Sequence, residues 1–276
     1  MLYALLVLGF ALIFSVGRVI NLAHGAYFMI GAYGSYVVSH FLLDDRGGLW
    51  VVAGAVLIGS VMGAVVALFQ FYVLMRRLKN AKHDYILVAS LALSLLASEI
   101  FRQMFGASGA SPLGFVEGSV DVLGVWVISQ QLVILPVALV TVGAMLYFLN
   151  HTKQGRSILA VAQNREGAVL MGIEPVKVFG IVFFLAGFTA ALAGALTAPM
   201  QTVGPEMWIS PLIAAFAIVI LGGVGSLNGP LIAAFLLGMT EVAVGIAFGP
   251  QYAELSGFAL IVVVLTVRPA GLLGSR

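Results

Sequence analysis

Charge constrains this chain most, because there is so little of it and it is so unevenly placed. Of the 276 residues 62% are hydrophobic and only 9% are charged, and the mean hydropathy is +1.13. Yet the stretch 150–177, NHTKQGRSILAVAQNREGAVLMGIEPVK, holds Lys153, Arg156, Arg165, Glu166, Glu174 and Lys177. Six charges in hydrocarbon would cost more than the flanking apolar runs recover, so this island lies outside a bilayer that those runs cross. Between Ser157 and Met171 the residues Ile158, Leu159, Val161, Ala162, Val169 and Leu170 recur at roughly helical spacing. Gly155 and Gly172 bracket that segment, and Pro175 blocks its continuation. The island therefore reads as a short amphipathic helix between two spans. It is either a solvated connection or a docking element for a soluble partner.

The composition gives the fold class as all-α: a polytopic membrane protein with room for roughly seven or eight spans of about 20 residues. The chain has no cysteine, which excludes disulfides, thiolate metal sites and thiol catalysis. His24, His40, His83 and His151 are scattered without metal-ligand spacing, so no metal is expected. No GxxxxGK[ST] and no GxGxxG after a strand pattern is present, so ATP is not bound by a P-loop of this chain. The expected environment is the lipid bilayer, with no nucleic-acid partner.

Apolar runs are read at Met1–Phe14, Leu22–Phe41, Val51–Met75, Tyr85–Phe101, Leu132–Leu149, Val178–Ala198, Leu231–Phe248 and Leu255–Val267, with a shorter one at Leu212–Leu221. Gly25, Gly31, Gly34, the Gly59-x-x-x-Gly63 pair and the stripe Ala190, Gly194, Ala198 suit close helix contact. Asp44, Asp45, Arg46, Gly47 and Gly48 mark a turn, and the glycine-rich stretch 105–131, with Glu117 and Asp121, reads as a long loop. Glu99 and Arg102 stand one helical turn apart and can pair. Arg76, Arg77, Lys79 and Lys82, the island, and the tail with Arg268 and Arg276 hold most of the basic residues. Positive charge stays inside, so these three segments and the C-terminus are expected to be cytoplasmic.

Two breaks interrupt apolar sequence, RVINLAHG (18–25) and LGGVGSLNGP (221–230). Irregular backbone at membrane depth is tolerated where it lines a cavity, and a pair of breaks points to a transport pathway. Asn21, His24 and Gly25 at the first break and Gly222, Gly223 and Gly225 at the second are the candidate pathway residues. The bland alternative is two tight surface turns. Glu241 joins the candidates as the one acid deep in a span, either functional or hydrogen-bonded to a neighbouring helix.

RVINLAHGAYFMIGAYG (18–34), GRSILAVAQNREGAVLMGI (155–173), LGGVGSLNGPLIAAFLLGMTE (221–241) and RPAGLLG (268–274) together resemble the branched-chain amino acid ABC transporter permeases of the LivH type. The resemblance covers essentially the whole chain. It implies one permease domain over 1–276 in a bacterial inner membrane. It also implies a second related permease, two cytoplasmic ATPases that bind the ATP, and a periplasmic binding protein as partners. By the same resemblance the segment 155–173 docks on the ATPase, through Gly155, Arg156, Asn164, Arg165, Glu166 and Gly172. Family members usually carry further residues before the stretch matching Leu2–Phe14, so residues upstream of Met1 are expected. Permeases for urea and short amides share the NLAHG-like and GGxGS-like motifs, and a passive channel would also explain the breaks. An intramembrane enzyme would need paired catalytic groups, for which only His24 and Glu241 stand as candidates. Among substrates an aliphatic amino acid fits best. Its carboxylate would meet backbone N–H groups near Asn21–Gly25, and its ammonium Glu241 or the carbonyls of Leu221–Gly225.

Overall fold

A computed structural model describes residues 1–42, 49–78, 81–107, 109, 118–122, 125–223 and 225–274. The turn expected at Asp44–Gly48 and the charges Lys79, Glu117 and Arg276 lie outside the described residues. Among the described residues eleven α-helices follow one another: α1 Leu2–Gly17, α2 His24–Val37, α3 Leu49–Gln70, α4 His83–Phe105, α5 Ser129–His151, α6 Lys153–Gln163, α7 Arg165–Leu170, α8 Pro175–Thr197, α9 Ile209–Gly222, α10 Asn228–Phe248 and α11 Ala253–Val267. π turns lengthen α2 through Leu42 and α3 through Met75. Nine of the helices form the bundle, against about eight expected, while α6 and α7 belong to the charged island. With their extensions, six are apolar and long enough to cross a bilayer, and α1 and α9 are shorter apolar helices.

In lipid no hydrophobic force drives helices together, so close van der Waals packing must. The interior is accordingly built on α1, α2, α3 and α8, where small residues let backbones touch. Gly31 of α2 lies on the Ala191 backbone of α8, and Gly194 of α8 lies on the Phe28 carbonyl of α2. Gly63 of α3 fits against Gly187 and Ala191, and Gly59 against Gly31 and Gly34. A side chain at Gly194 has nowhere to go, since its Cβ would overlap backbone rather than a movable side-chain end. Gly194→Val is expected to lower the melting temperature in detergent by several degrees, from an overpacking cost of about 1–3 kcal/mol or more. An unchanged melting temperature would contradict this packing.

The irregular segments sort to two ends of the bundle. At one end the π turn after α3, Arg76 and Ala81 share a cleft with Arg165 and Val176, and Gly225 shares a cavity with Gln163. The C-terminal segment bonds to the end of α9 at the same end. The three basic segments therefore meet at one end of the molecule, here called the basic end. At the other end Ser98 of α4 donates to the Pro205 carbonyl (2.6 Å) and Gln130 of α5 to the Leu196 carbonyl (3.2 Å). There Arg102 bridges Glu99 (3.6 Å) and Glu206 (2.9 Å). All three side chains are substantially exposed, so the cluster adds little stability.

One feature of the fold departs from the expectations and a second decides between the two readings of the breaks. Part of the stretch read as a long loop is an antiparallel hairpin, Ser119–Val122 paired with Val125–Ile128. Both breaks prove to be short connections at the basic end, joining α1 to α2 and α9 to α10.

Candidate functional site

The charged island folds as two helices rather than the single one its spacing suggests, because Asn164 interrupts it. Asn164 ends α6, donating its N–H to the Ala160 carbonyl (2.9 Å), and caps α7, its Oδ1 accepting from the Gly167 N–H (2.9 Å). Its extended backbone, φ −151° and ψ 99°, sets the angle between them. Upstream, Thr152 caps α6 by accepting from the Gly155 N–H (3.0 Å). Gly155 lies inside α6, not before it, pressed on the Phe148 carbonyl and Leu149 backbone of α5 where a Cβ would not fit. That contact holds the α5–α6 corner tight.

α6 then places Ile158 and Val161, both fully or almost fully buried, in one buried cluster with Leu8, Leu12 and Val16 of α1, Leu149 of α5, and Val178 and Val182 of α8. Each such burial is worth about 1.5–3 kcal/mol, so α6 is fixed to the bundle. Downstream, α7 stops in a Schellman turn. Ile173 N–H donates to the Ala168 carbonyl (3.0 Å) and Gly172 N–H to Val169 (2.9 Å), with Gly172 at φ 80°. Pro175 opens α8 and Lys177 pairs with Glu174 (2.8 Å). The Arg165 guanidinium stands 5.6 Å from the Phe179 ring centroid.

The result is a rigid hook whose tip points away from the protein. Leu170 is 87% and Met171 84% exposed. The apolar positions of the island thus divide, Ile158 and Val161 inward and Val169, Leu170 and Met171 outward. Arg156, Asn164, Arg165 and Glu166 are exposed.

Between the two breaks and the hook lies a cavity of about 600 Å³, within the usual range for small-molecule sites. Arg18 of the first break, Gly225 and Asn228 of the second, and Asn150 and Gln163 of the island line it. Arg18 is the one non-glycine residue with positive φ among the described residues (φ 49°), and its N–H closes α1 onto the Phe14 carbonyl (2.8 Å).

The predicted pathway residues are not gathered in one place. Asn21 is 2% exposed, and its Oδ1 accepts from Gln70 (2.9 Å) while its Nδ2 donates to the Tyr27 hydroxyl (3.0 Å), which in turn donates to Gln70. His24 is fully buried, its Nε2 donating to the Leu6 carbonyl of α1 (2.8 Å), and Gly25 packs on the Trp208 backbone. The N–H groups of Leu22, Ala23 and His24 are taken by Ser90, Asn21 Oδ1 and the Asn21 carbonyl. At the second break the Leu221 and Gly222 carbonyls accept from Leu272 (2.8 Å) and Leu273 (3.0 Å), and Gly223 packs under Gly271 and Gly274. The motifs at 221–230 and 268–274 thus form one unit. Glu241 is elsewhere: Tyr3 donates to it (3.3 Å), and both line a separate cleft of about 370 Å³ with Glu206. The sequence pattern does not single out Gln70 or Tyr27, although Gln70 is the one amide side chain in the run Val51–Met75.

Among the described residues no three His, Asp or Glu side chains cluster as metal ligands, and His24 has no catalytic acid or base bonded to it. A helical membrane bundle with a cavity and a stiff exposed hook at one end is built as the membrane-embedded part of a transport system. The chain belongs to the family of branched-chain amino acid transport system permease components, whose model matches residues 1–267. It is 29% identical to the high-affinity branched-chain amino acid transport system permease protein LivH of Escherichia coli, over 99% of this chain and 91% of that one. The corresponding permease BraD of Pseudomonas aeruginosa is 27% identical over the same shares. The L-arabinose transport system permease protein AraH of Escherichia coli is 29% identical, but over 46% of this chain and 43% of its own. No solved structure matches.

Proposed function

We propose that this chain is the permease subunit of an ATP-binding-cassette importer that moves branched-chain, aliphatic amino acids into the cytoplasm. It works with a second related permease, two cytoplasmic ATPases and a periplasmic binding protein. One observation carries the coupling role: the apolar tip Leu170–Met171, exposed on a hook whose base is locked by Gly155, Ile158 and Val161. A merely solvated connection has no use for a rigid scaffold or for an apolar tip. Movement of an ATPase pressed on that tip would pass through α6 to α1, α5 and α8, which form walls of the cavity or pack beside it. Arg156, Asn164, Arg165 and Glu166 would set the register of docking, and ATP is held by the partner.

The gathering of the basic segments at one end supports placing that end, the hook and the C-terminus in the cytoplasm of a bacterial inner membrane. Near full-length likeness to amino-acid permeases, against half-length likeness to a sugar permease, favours amino acids as substrate. The whole of 1–276 then acts as one permease domain. The test is reconstitution in proteoliposomes with the partner subunits and each candidate binding protein, measuring uptake of leucine, isoleucine and valine against urea. ATP-dependent leucine uptake is expected. Uptake of urea alone would overturn the substrate, and uptake without ATP would overturn the importer.

A further inference from the structure

The cavity at the basic end brings one guanidinium, several amides and apolar side chains together. Its polar lining comprises Ser15, Arg18, Asn150, Gln163 and Asn228, and no acidic residue lines it. Arg18 makes no ion pair and no side-chain hydrogen bond among the described residues, and neither Gln163 nor Asn228 makes a side-chain hydrogen bond there. Arg18 is exposed at the C-terminus of α1, where a cation complements the helix dipole, and it stands on left-handed backbone that carries a conformational cost for a non-glycine residue. Phe14, Leu146, Leu149 and Leu159 supply apolar lining to the same cavity. Positive charge, unpaired amides and an apolar wall in one cavity of about 600 Å³ suit an anion that carries a hydrocarbon tail.

We propose that this cavity is a carboxylate-binding vestibule in which Arg18 receives the carboxylate of an aliphatic solute, with Asn150, Gln163 and Asn228 as neutral hydrogen-bonding partners. The inference rests on the importer reading and deepens it by giving the leaving substrate a last contact. Planar guanidinium and planar carboxylate match in a two-bond fork, which a lysine would not reproduce. The vestibule is walled by α6 of the hook and by the second break. A shift of the hook would therefore change the site that holds the carboxylate, which ties release to the ATPase.

The test uses the full chain in inside-out membrane vesicles. Because the chain has no cysteine, Ala162→Cys, which lines the vestibule without being one of its binding groups, gives a single thiol whose rate of reaction with an impermeant maleimide can be followed. Leucine and 4-methylpentanoate, which has the carboxylate but no ammonium, are expected to slow labelling. Leucinol, which lacks the carboxylate, and inorganic phosphate are not. Arg18→Gly keeps the left-handed backbone without strain and removes the guanidinium. It is expected to raise the half-protecting concentration of 4-methylpentanoate by about ten-fold or more, with Arg18→Lys between the two. Equal protection by leucinol or by phosphate would overturn the proposal, as would protection that survives Arg18→Gly. Absence of protection by either carboxylate would overturn it too, as would a thiol already shielded by a docked partner. The outcome is separable from that of the uptake experiment. Leucine uptake without protection removes the vestibule alone, and protection by carboxylates in a urea carrier removes the substrate reading alone.

Discussion

Replacing Leu170 and Met171 together by aspartate is expected to leave the chain inserted and folded while abolishing transport driven by ATP. Both side chains are more than four-fifths exposed and neither contributes to the buried clusters, so the isolated subunit loses no packing. Under the proposed docking the same side chains would be the apolar centre of a contact with a soluble partner. Residues of that kind each carry about 2 kcal/mol or more of an interface, and burying two unpaired carboxylates there adds a desolvation cost. Substrate-stimulated ATP hydrolysis should therefore fall by at least about 30-fold, with the melting temperature of the purified chain unchanged. Undiminished ATP hydrolysis would mean that the tip of the hook touches nothing that matters.

The second large effect concerns the tail. Gly271→Val is expected to cost about 2–4 kcal/mol and to stop transport, measured as a lower melting temperature and a loss of uptake together. Gly271 has φ 78°, a backbone that valine rarely adopts, and a Cβ there would press on Gly223 and on the Ile220 carbonyl. Moving the tail strips the Leu221 and Gly222 carbonyls of their Leu272 and Leu273 donors. Those carbonyls end α9 at the second break, whose Gly225 and Asn228 line the cavity, so the break loses its fixed shape. A variant with wild-type stability would show that the tail merely rests on the break.

Much of this was legible in the sequence, and the part that was not has physical causes. Where Gly31, Gly59, Gly63 and Gly194 stand in apolar runs, only backbone-to-backbone packing gives them a use, and the bundle is built on them. The island was readable because six charges cannot hide in lipid, but its division at Asn164 was not. An asparagine inside a helical pattern is compatible with either a kink or a solvent-facing side chain, and only tertiary packing of α6 chose between them. The breaks were legible as places, not as contacts. Nothing local to Leu221–Gly223 says that Leu272 and Leu273 return across some fifty residues to bond with it. Asn21 and His24 stood out as polar residues at a break, which suggests a solute site. Their partners Gln70, Tyr27 and the Leu6 carbonyl are distant in sequence, so their use as internal ties shows only in three dimensions. Arg18, by contrast, lay in the first break all along. What raised it above its neighbours was the cavity it enters.

The central claim is that this chain is the membrane subunit to which an ATPase docks through the hook. The most direct measurement is purification of the tagged chain from its native membranes in mild detergent, with the co-eluting polypeptides identified and their ratios measured. A P-loop ATPase is expected to elute in fixed stoichiometry with the wild-type chain and to be absent from the Leu170→Asp, Met171→Asp variant. A wild-type chain that elutes without any ATPase, or an ATPase retained by the double variant, would contradict the account.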